Sequence, residues 1–195
     1  QNSDSKNSQQ EKQELPQEKS DSFLSLLKDT TTKAGFEISY KAKENSKDLI
    51  IQIKKDSLFK EFVFTEMLDM KLKNCPVFIL ESKEYLYFQY YSGGTHLWIV
   101  QKSTLQEINI YKVVAKDFDR NLVFYIAHND PTDKFECRLV NLSTNKTQEI
   151  IFDGICRAAE TNHCIKEAIF EKENLIITAL LWKDEQTENE TEVIR

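Results

Sequence analysis

The histidines and cysteines, the side chains most ready to act as nucleophile, base or metal ligand, are few and scattered. Histidines stand at His96, His128 and His163, and cysteines at Cys75, Cys137, Cys156 and Cys164. Cys164, His163 and Glu160 have the types of a nucleophile, a base and an orienting acid. Neighbours in one backbone segment rarely aim at one another, however, and no cysteine-protease pattern flanks them. The run His128-Asn129-Asp130-Pro131-Thr132-Asp133 sets oxygen ligands at alternate positions, as a calcium loop would. It lacks the EF-hand glycine and the distal bidentate Glu, so it reads as a turn whose Asp and Asn bond their own backbone. His96, beside Leu97 and Trp98, reads as a hydrogen-bonded sheet residue. Gly93-Gly94 precedes no helix and suits a hairpin turn better than a phosphate cradle. GxSxG, HExxH, Walker and CxxC patterns are all missing. The expectation is a non-catalytic protein with no metal and no cofactor.

Cysteine has a second use. In an exported chain an even number of cysteines permits a disulfide framework. Cys156 and Cys164 bracket a polar loop, Arg157 to His163, that is short enough to close easily, so they are the expected pair. Cys137 alternates with Phe135 and Leu139 and reads as a buried core thiol. Cys75 precedes Pro76 at a strand start and fits either state.

The feature most suggestive of binding is an aromatic hairpin. Tyr85, Tyr87, Phe88, Tyr90, Tyr91, His96 and Trp98 fall within one stretch. Along its first strand Leu86, Phe88 and Tyr90 share one face, and Tyr85, Tyr87, Gln89 and Tyr91 share the other. If the first set faces the core, the tyrosine row is exposed. Tyr85, Tyr87 and Tyr91, with His96 and Trp98, then form a candidate platform for a protein interface or for stacking on a glycan. The competing reading is a hairpin covered on both faces, since aromatics are enriched in strands anyway.

Positioning such a surface requires a sheet, and the chain supplies one. From Phe36 onward the periodicity is two: Phe36, Ile38 and Tyr40 alternate with polar residues, and Leu49 to Ile53 follows the polar turn Glu44 to Lys47. Further strands are expected over 59–65, 77–81, 85–91, 95–101, 107–113, 122–127, 135–142, 148–152, 165–170, 175–182 and 191–194. With 4 Gly and 3 Pro in 195 residues, the turns between them must rely on Asn, Asp, Ser and Lys. No gap is long enough for a parallel crossover helix. The fold class is therefore all-β: an antiparallel meander closed as a barrel, stacked as a sandwich or arranged as propeller-like blades. A hairpin-plus-strand pattern recurs from Glu84, Asn121 and Asn174, but with irregular spacing, so no regular repeat is established. The acidic run Asp184 to Glu190 reads as a solvated loop between two strands.

Ahead of the sheet, Ser20 or Asp21 can cap a short helix through Phe23, Leu24, Leu26 and Leu27, ending before the threonines at 30–32 and Gly35. Residues 1–22 contain Leu15 and Pro16 as their apolar side chains and are expected to be a disordered polar tether. The domain plan is thus a tether over 1–22, a short helix and linker over 23–35, and one all-β domain over 36–195. The net charge of −6 argues against nucleic acid, whose phosphates require a basic stripe. No run approaches the roughly 20 apolar residues of a membrane helix.

The stretch Gln1-Asn2-Ser3-Asp4-Ser5-Lys6-Asn7-Ser8 resembles the segment that follows the lipid-modified cysteine in mature lipoproteins of Gram-negative bacteria, particularly those of the Bacteroides and Flavobacterium group. The resemblance is compositional, is confined to the tether and contains no lipobox cysteine. It implies a chain released by signal-peptide cleavage and held in the periplasm or at the outer membrane, touching the membrane through an N-terminal lipid anchor. A secreted protein is the alternative location. The expected function is a non-catalytic cell-envelope protein that binds a protein or glycan partner through a sheet surface. The alternatives are a secreted or periplasmic hydrolase with unidentified catalytic carboxylates, and a purely structural assembly component.

Overall fold

The computed structural model describes residues 23–128, 134–157, 161–183 and 186–194. The tether and most of the His128 to Asp133 loop lie outside them. The chain divides into two compact units, with the boundary between Leu72 and Lys73.

The first unit contains one antiparallel sheet in chain order: β1 (Thr30–Thr31), β2 (Glu37–Ala42), β3 (Leu49–Lys55) and β4 (Leu58–Phe64). Its period-two pattern works as written. Ile38, Tyr40, Leu49, Ile51, Ile53 and Phe62 are buried on one face, whereas Phe59 and Val63 are exposed on the other. The helix expected from Ser20 or Asp21 begins outside the described residues. Leu26 and Leu27 N–H donate to Phe23 and Leu24 O at 3.1 and 2.9 Å, and the chain then leaves this turn. Thr30 and Thr31, expected to end a helix, instead pair with Ile38 and Glu37. β-Branched side chains favour this extended backbone, and Gly35 at φ 84° turns the chain between the strands.

The second unit contains three antiparallel sheets. Sheet I has β5 (Val77–Glu81), β6 (Tyr85–Tyr91), β7 (Thr95–Gln101) and β8 (Glu107–Ile110). Sheet II has β9 (Val113–Asp117), β10 (Leu122–His128), β11 (Glu136–Asn141) and β12 (Lys146–Ile151). Sheet III has β13 (Ile165–Glu171), β14 (Asn174–Lys183) and β15 (Gln186–Ile194). In every sheet sequence neighbours pair, and among the described residues no sheet closes into a barrel.

Sheets I and II share a core in which Tyr85, Tyr87, Leu97 and Ile99 meet Val113 and Val123. Sheets II and III share another, in which Phe124, Ile126, Cys137 and Ile150 meet Leu175, Ile177, Ala179 and Leu181. Sheet II is therefore covered on both faces, with Val123 turned to one core and Phe124 to the other. Each such large side chain contributes roughly 1.5–3 kcal/mol by leaving water.

Two stretches differ most from the sequence pattern, the other strand ends shifting by one or two residues. The stretch expected as one strand over 107–113 ends at Ile110, and a separate strand, β9, begins at Val113. Lys112, at φ 54°, sits at the break. The acidic run is mostly strand: Glu188, Asn189 and Glu190 pair with Leu181, Leu180 and Ala179 of β14. The Glu190 carboxylate accepts the Asp153 N–H at 3.3 Å, and Lys183 Nζ lies 2.6 Å from Asp153. An edge strand carries such charge readily because one side of it faces water.

Many of the turns use the expected residue types, although Glu66 and Leu105 also adopt positive φ. Asn45, Asp56, Asn121, Asn145 and Lys172 all adopt positive φ. Gly154 serves a different purpose, since a Cβ there would lie 2.5 Å from Leu181 Cβ. Its absence lets Ile155 bridge to Trp182 of β14. Cys156 and Cys164 form the expected disulfide, with Cα atoms 5.7 Å apart, and Cys137 is a buried thiol in the adjoining core. Cys75 is buried and is not part of the disulfide. No helix among the described residues is long and apolar enough to cross a membrane.

Candidate functional site

The aromatic hairpin pairs Tyr85 to Tyr91 with Gln101 to Thr95. It is not an exposed platform. Tyr85 and Tyr87 point into the core between sheets I and II, and the face bearing Leu86, Phe88, Trp98 and Val100 is fully buried as well. Burial is tolerated because every polar tip has a partner. Tyr85 OH donates to Leu142 O at 2.8 Å, and Tyr87 OH to Asn121 Oδ1 at 2.7 Å. Trp98 Nε1 donates to Glu107 Oε2 at 2.8 Å, while its ring packs 4.4 Å from that of Phe88. Burial pushes the Tyr87 phenol up to about 12.

His96 is equally committed. Its Nδ1 accepts the Lys112 N–H at 3.0 Å, which places the ring proton on Nε2, 2.7 Å from Ser92 O. Tyr91 alone of the five platform residues is half-buried, with the Lys73 ammonium 4.6 Å from its ring centre. The hairpin is thus covered on both faces, the competing reading of its sequence.

The other sequence candidates are dispersed. Cys164 is locked in the disulfide and offers no thiol to His163; Glu160 lies outside the described residues. His128 ends β10, exposed, while Asp130 and Asp133 are also outside them. Burial raises the Cys75 thiol to about 11 and drives that of Cys137 further up, so neither is a ready thiolate.

The structure instead opens a cleft of about 830 Å³ where the first strands of the three stacked sheets converge. It is lined by residues 80–83 at the end of β5, by 114–119 and 121 from β9 and its turn, and by 168–170 on β13. Antiparallel order puts β5, β9 and β13 each at the edge of its sheet. Face-to-face stacking brings those edges together.

The lining mixes apolar and charged groups. Phe118 and Phe170 are half-buried walls; the Phe118 ring centre lies 4.5 Å from that of Tyr87, and the Arg120 guanidinium lies 5.4 Å from the Phe170 ring. Glu81 is ion-paired with Lys102 at 2.5 Å, with both side chains largely shielded, and Lys102 also donates to Ser82 O at 2.6 Å. Asp117 holds Arg120 through its guanidinium at 2.7 Å and its backbone N–H at 3.0 Å. Burial alone would raise the Asp117 carboxyl; the hydrogen bonds and charge of Arg120 outweigh it and hold the group below the usual carboxylate value. Both of these carboxylates are matched by cations.

Lys116 projects from β9 into this lining, half-buried. It donates to Gln89 Oε1 and lies 5.2 Å from the Phe118 ring centre. Burial lowers its ammonium below the ordinary lysine value. Asn121, at positive φ, joins the cleft to the hairpin. It accepts from Tyr87 and donates to Ser143 Oγ at 2.8 Å, and Ser143 in turn donates to Glu84 at 2.6 Å.

Sequence reasoning missed Lys116, Asp117 and Phe118. Val113-Val114-Ala115-Lys116-Asp117 shows neither alternation nor aromatic density, and Val113 reads as the end of the preceding strand. The available signal was the echo beginning at Asn121, which lacks a first strand unless the residues just before it supply one. Comparisons with protein-family models, with curated proteins and with solved structures found no match.

Proposed function

We propose that this chain is a non-catalytic binding module of the cell envelope that takes a protein or glycan partner in the cleft between β5, β9 and β13. The second unit is read as propeller-like: three sheets stack as blades, and the first strand of each lies nearest a common axis. The observation that carries the reading is the convergence of those three strands on one cleft. At about 830 Å³ the cleft falls in the range of small-ligand sites, roughly 300–1,000 Å³, and like them it combines apolar walls with a few placed polar groups. Binding is favoured over catalysis because Glu81 and Asp117 are neutralised by Lys102 and Arg120. An envelope location is supported by the Cys156–Cys164 disulfide, a bond that persists in oxidising compartments, and by the lipoprotein-like composition of 1–22. A lipid anchor preceding that segment would tie the module to the membrane.

The test is calorimetric titration of a panel of defined oligosaccharides and extended peptides into the wild type and Ile169→Trp. Ile169 lines the cleft but is 42% exposed, so a larger side chain narrows the site without repacking the core. The expected result is one saturable site, weakened about tenfold or more in Ile169→Trp at unchanged melting temperature. Equal binding by both proteins would remove the cleft from the account, and cleavage of the probe would replace the module by a hydrolase.

A further inference from the structure

We propose that the cleft takes an anionic saccharide, a sugar unit bearing a carboxylate, whose negative charge is met by the Lys116 ammonium. This rests on the cleft being the binding site.

The charges along the cleft are unequal in how they are satisfied. Glu81 has Lys102 and Asp117 has Arg120. Lys116 has the neutral Gln89 amide oxygen and the face of Phe118, and among the described residues no carboxylate lies within ion-pairing distance of it. An ammonium carries three donors, and with one given to the Gln89 oxygen it keeps capacity for a ligand oxygen. Lys83 and Asp119, of opposite charge, are exposed to water at the rim. With the two pairs cancelled, the surplus inside the cleft is the positive charge of Lys116. Burying such a group against a neutral partner disfavours its charged form, consistent with the lowered ammonium. A side chain held there against its own desolvation gains a partner when an anion enters.

The walls select the kind of anion. Phe118 and Phe170 are half-buried walls; the Phe118 ring already meets Tyr87 and Lys116 and the Phe170 ring meets Arg120, so the C–H face of a pyranose would pack on what these contacts leave exposed. Strand addition by an acidic peptide would need one continuous free edge. Here three edges, of five, five and seven residues, converge on the same space. Scattered backbone and side-chain groups around a compact volume fit a polyhydroxylated ring better than an extended chain.

The test titrates a galacturonic acid tetrasaccharide and its neutral galactose counterpart into the wild type, Lys116→Met and Gln89→Glu, with an acidic peptide as a further arm. The expected result is that the wild type binds the acidic sugar about ten- to a hundredfold more tightly than the neutral one. Lys116→Met erases that difference at unchanged or raised unfolding midpoint. Gln89→Glu supplies an internal carboxylate to Lys116 and erases it too, which keeps the test valid should Lys116→Met fail to fold. Equal binding of both sugars, blocked by Ile169→Trp, would overturn the inference and leave the binding module standing. Lys116-dependent binding of the peptide in place of the sugar would overturn the saccharide assignment. No binding of any probe, or binding indifferent to Ile169→Trp, would take down the reading of the cleft itself.

Discussion

The β6–β7 hairpin and strand β9 sit in adjacent, packed sheets, yet their side chains are free to do very different things. The hairpin holds the richest aromatic sequence in the chain, and Tyr87, Phe88, Leu97 and Trp98 have no accessible surface. Strand β9 is five residues long, and apart from Val113 its residues are all half-buried. The hairpin spends its polar tips on internal partners, Leu142, Asn121 and Glu107. β9 turns Lys116 and Asp117 toward the cleft. The contrast teaches that aromatic density in a stacked-sheet protein marks the interior, and that a binding surface is better sought where charge and half-burial coincide at a sheet edge.

The largest effect that would break this contrast lies in the hairpin. Trp98→Ala removes a fully buried ring that packs on Phe88, and is expected to destabilise the fold by about 3–5 kcal/mol in urea titration. A loss below about 1 kcal/mol would mean that the hairpin is not core. Next comes Tyr87→Phe, which keeps the ring and withdraws the hydroxyl from buried Asn121. A loss of about 1–3 kcal/mol is expected, together with altered amide shifts in the 118–121 turn.

Asp117 gives a smaller, pH-dependent effect. Its folded carboxyl titrates below the reference value of 3.8, so the stabilisation it contributes is complete above that value and is lost as pH falls through the lower, folded one. Wild-type stability should therefore decline in this acid range, and Asp117→Asn should flatten that part of the profile. The smallest expected change is in Lys116→Met, where removing a desolvated ammonium leaves the unfolding midpoint unchanged or slightly raised. A clear destabilisation there would make Lys116 a structural residue and blur the contrast with the hairpin.

Much of the fold was legible because sheets leave a period-two trace. The N-terminal sheet, one face buried and one wet, follows that trace through β2 and β3 from Ile38 to Ile53, whereas β4 departs from it with Phe59 and Val63 apolar yet exposed. The three echoes starting at Glu84, Asn121 and Asn174 correspond to strands two onward of sheets I, II and III. Their uneven spacing has a physical source: between the second and third lies the segment with Gly154 and the disulfide, which the first interval lacks. Sheet boundaries were harder to read, because a break such as that between Ile110 and Val113 is made by backbone conformation at Lys112 and not by a Gly or Pro. The acidic stretch hid the first part of β15, ahead of the strand expected over 191–194, for a similar reason: Glu188 and Glu190 look like loop residues until β14 is present to pair with them. The disulfide was legible from the short polar loop between Cys156 and Cys164, given an exported chain. The cleft was not, because it is made by residues far apart in sequence, Leu80, Lys116 and Phe170, and exists once the sheets have stacked.

The measurement closest to the central claim is backbone amide chemical-shift mapping during titration of the galacturonic acid tetrasaccharide into the full chain. The account predicts perturbations grouped at residues 80–83, 114–121 and 168–170, with Tyr90, Tyr91 and Thr95 at the hairpin end unmoved. Perturbations centred on that hairpin end, with the cleft residues silent, would contradict it.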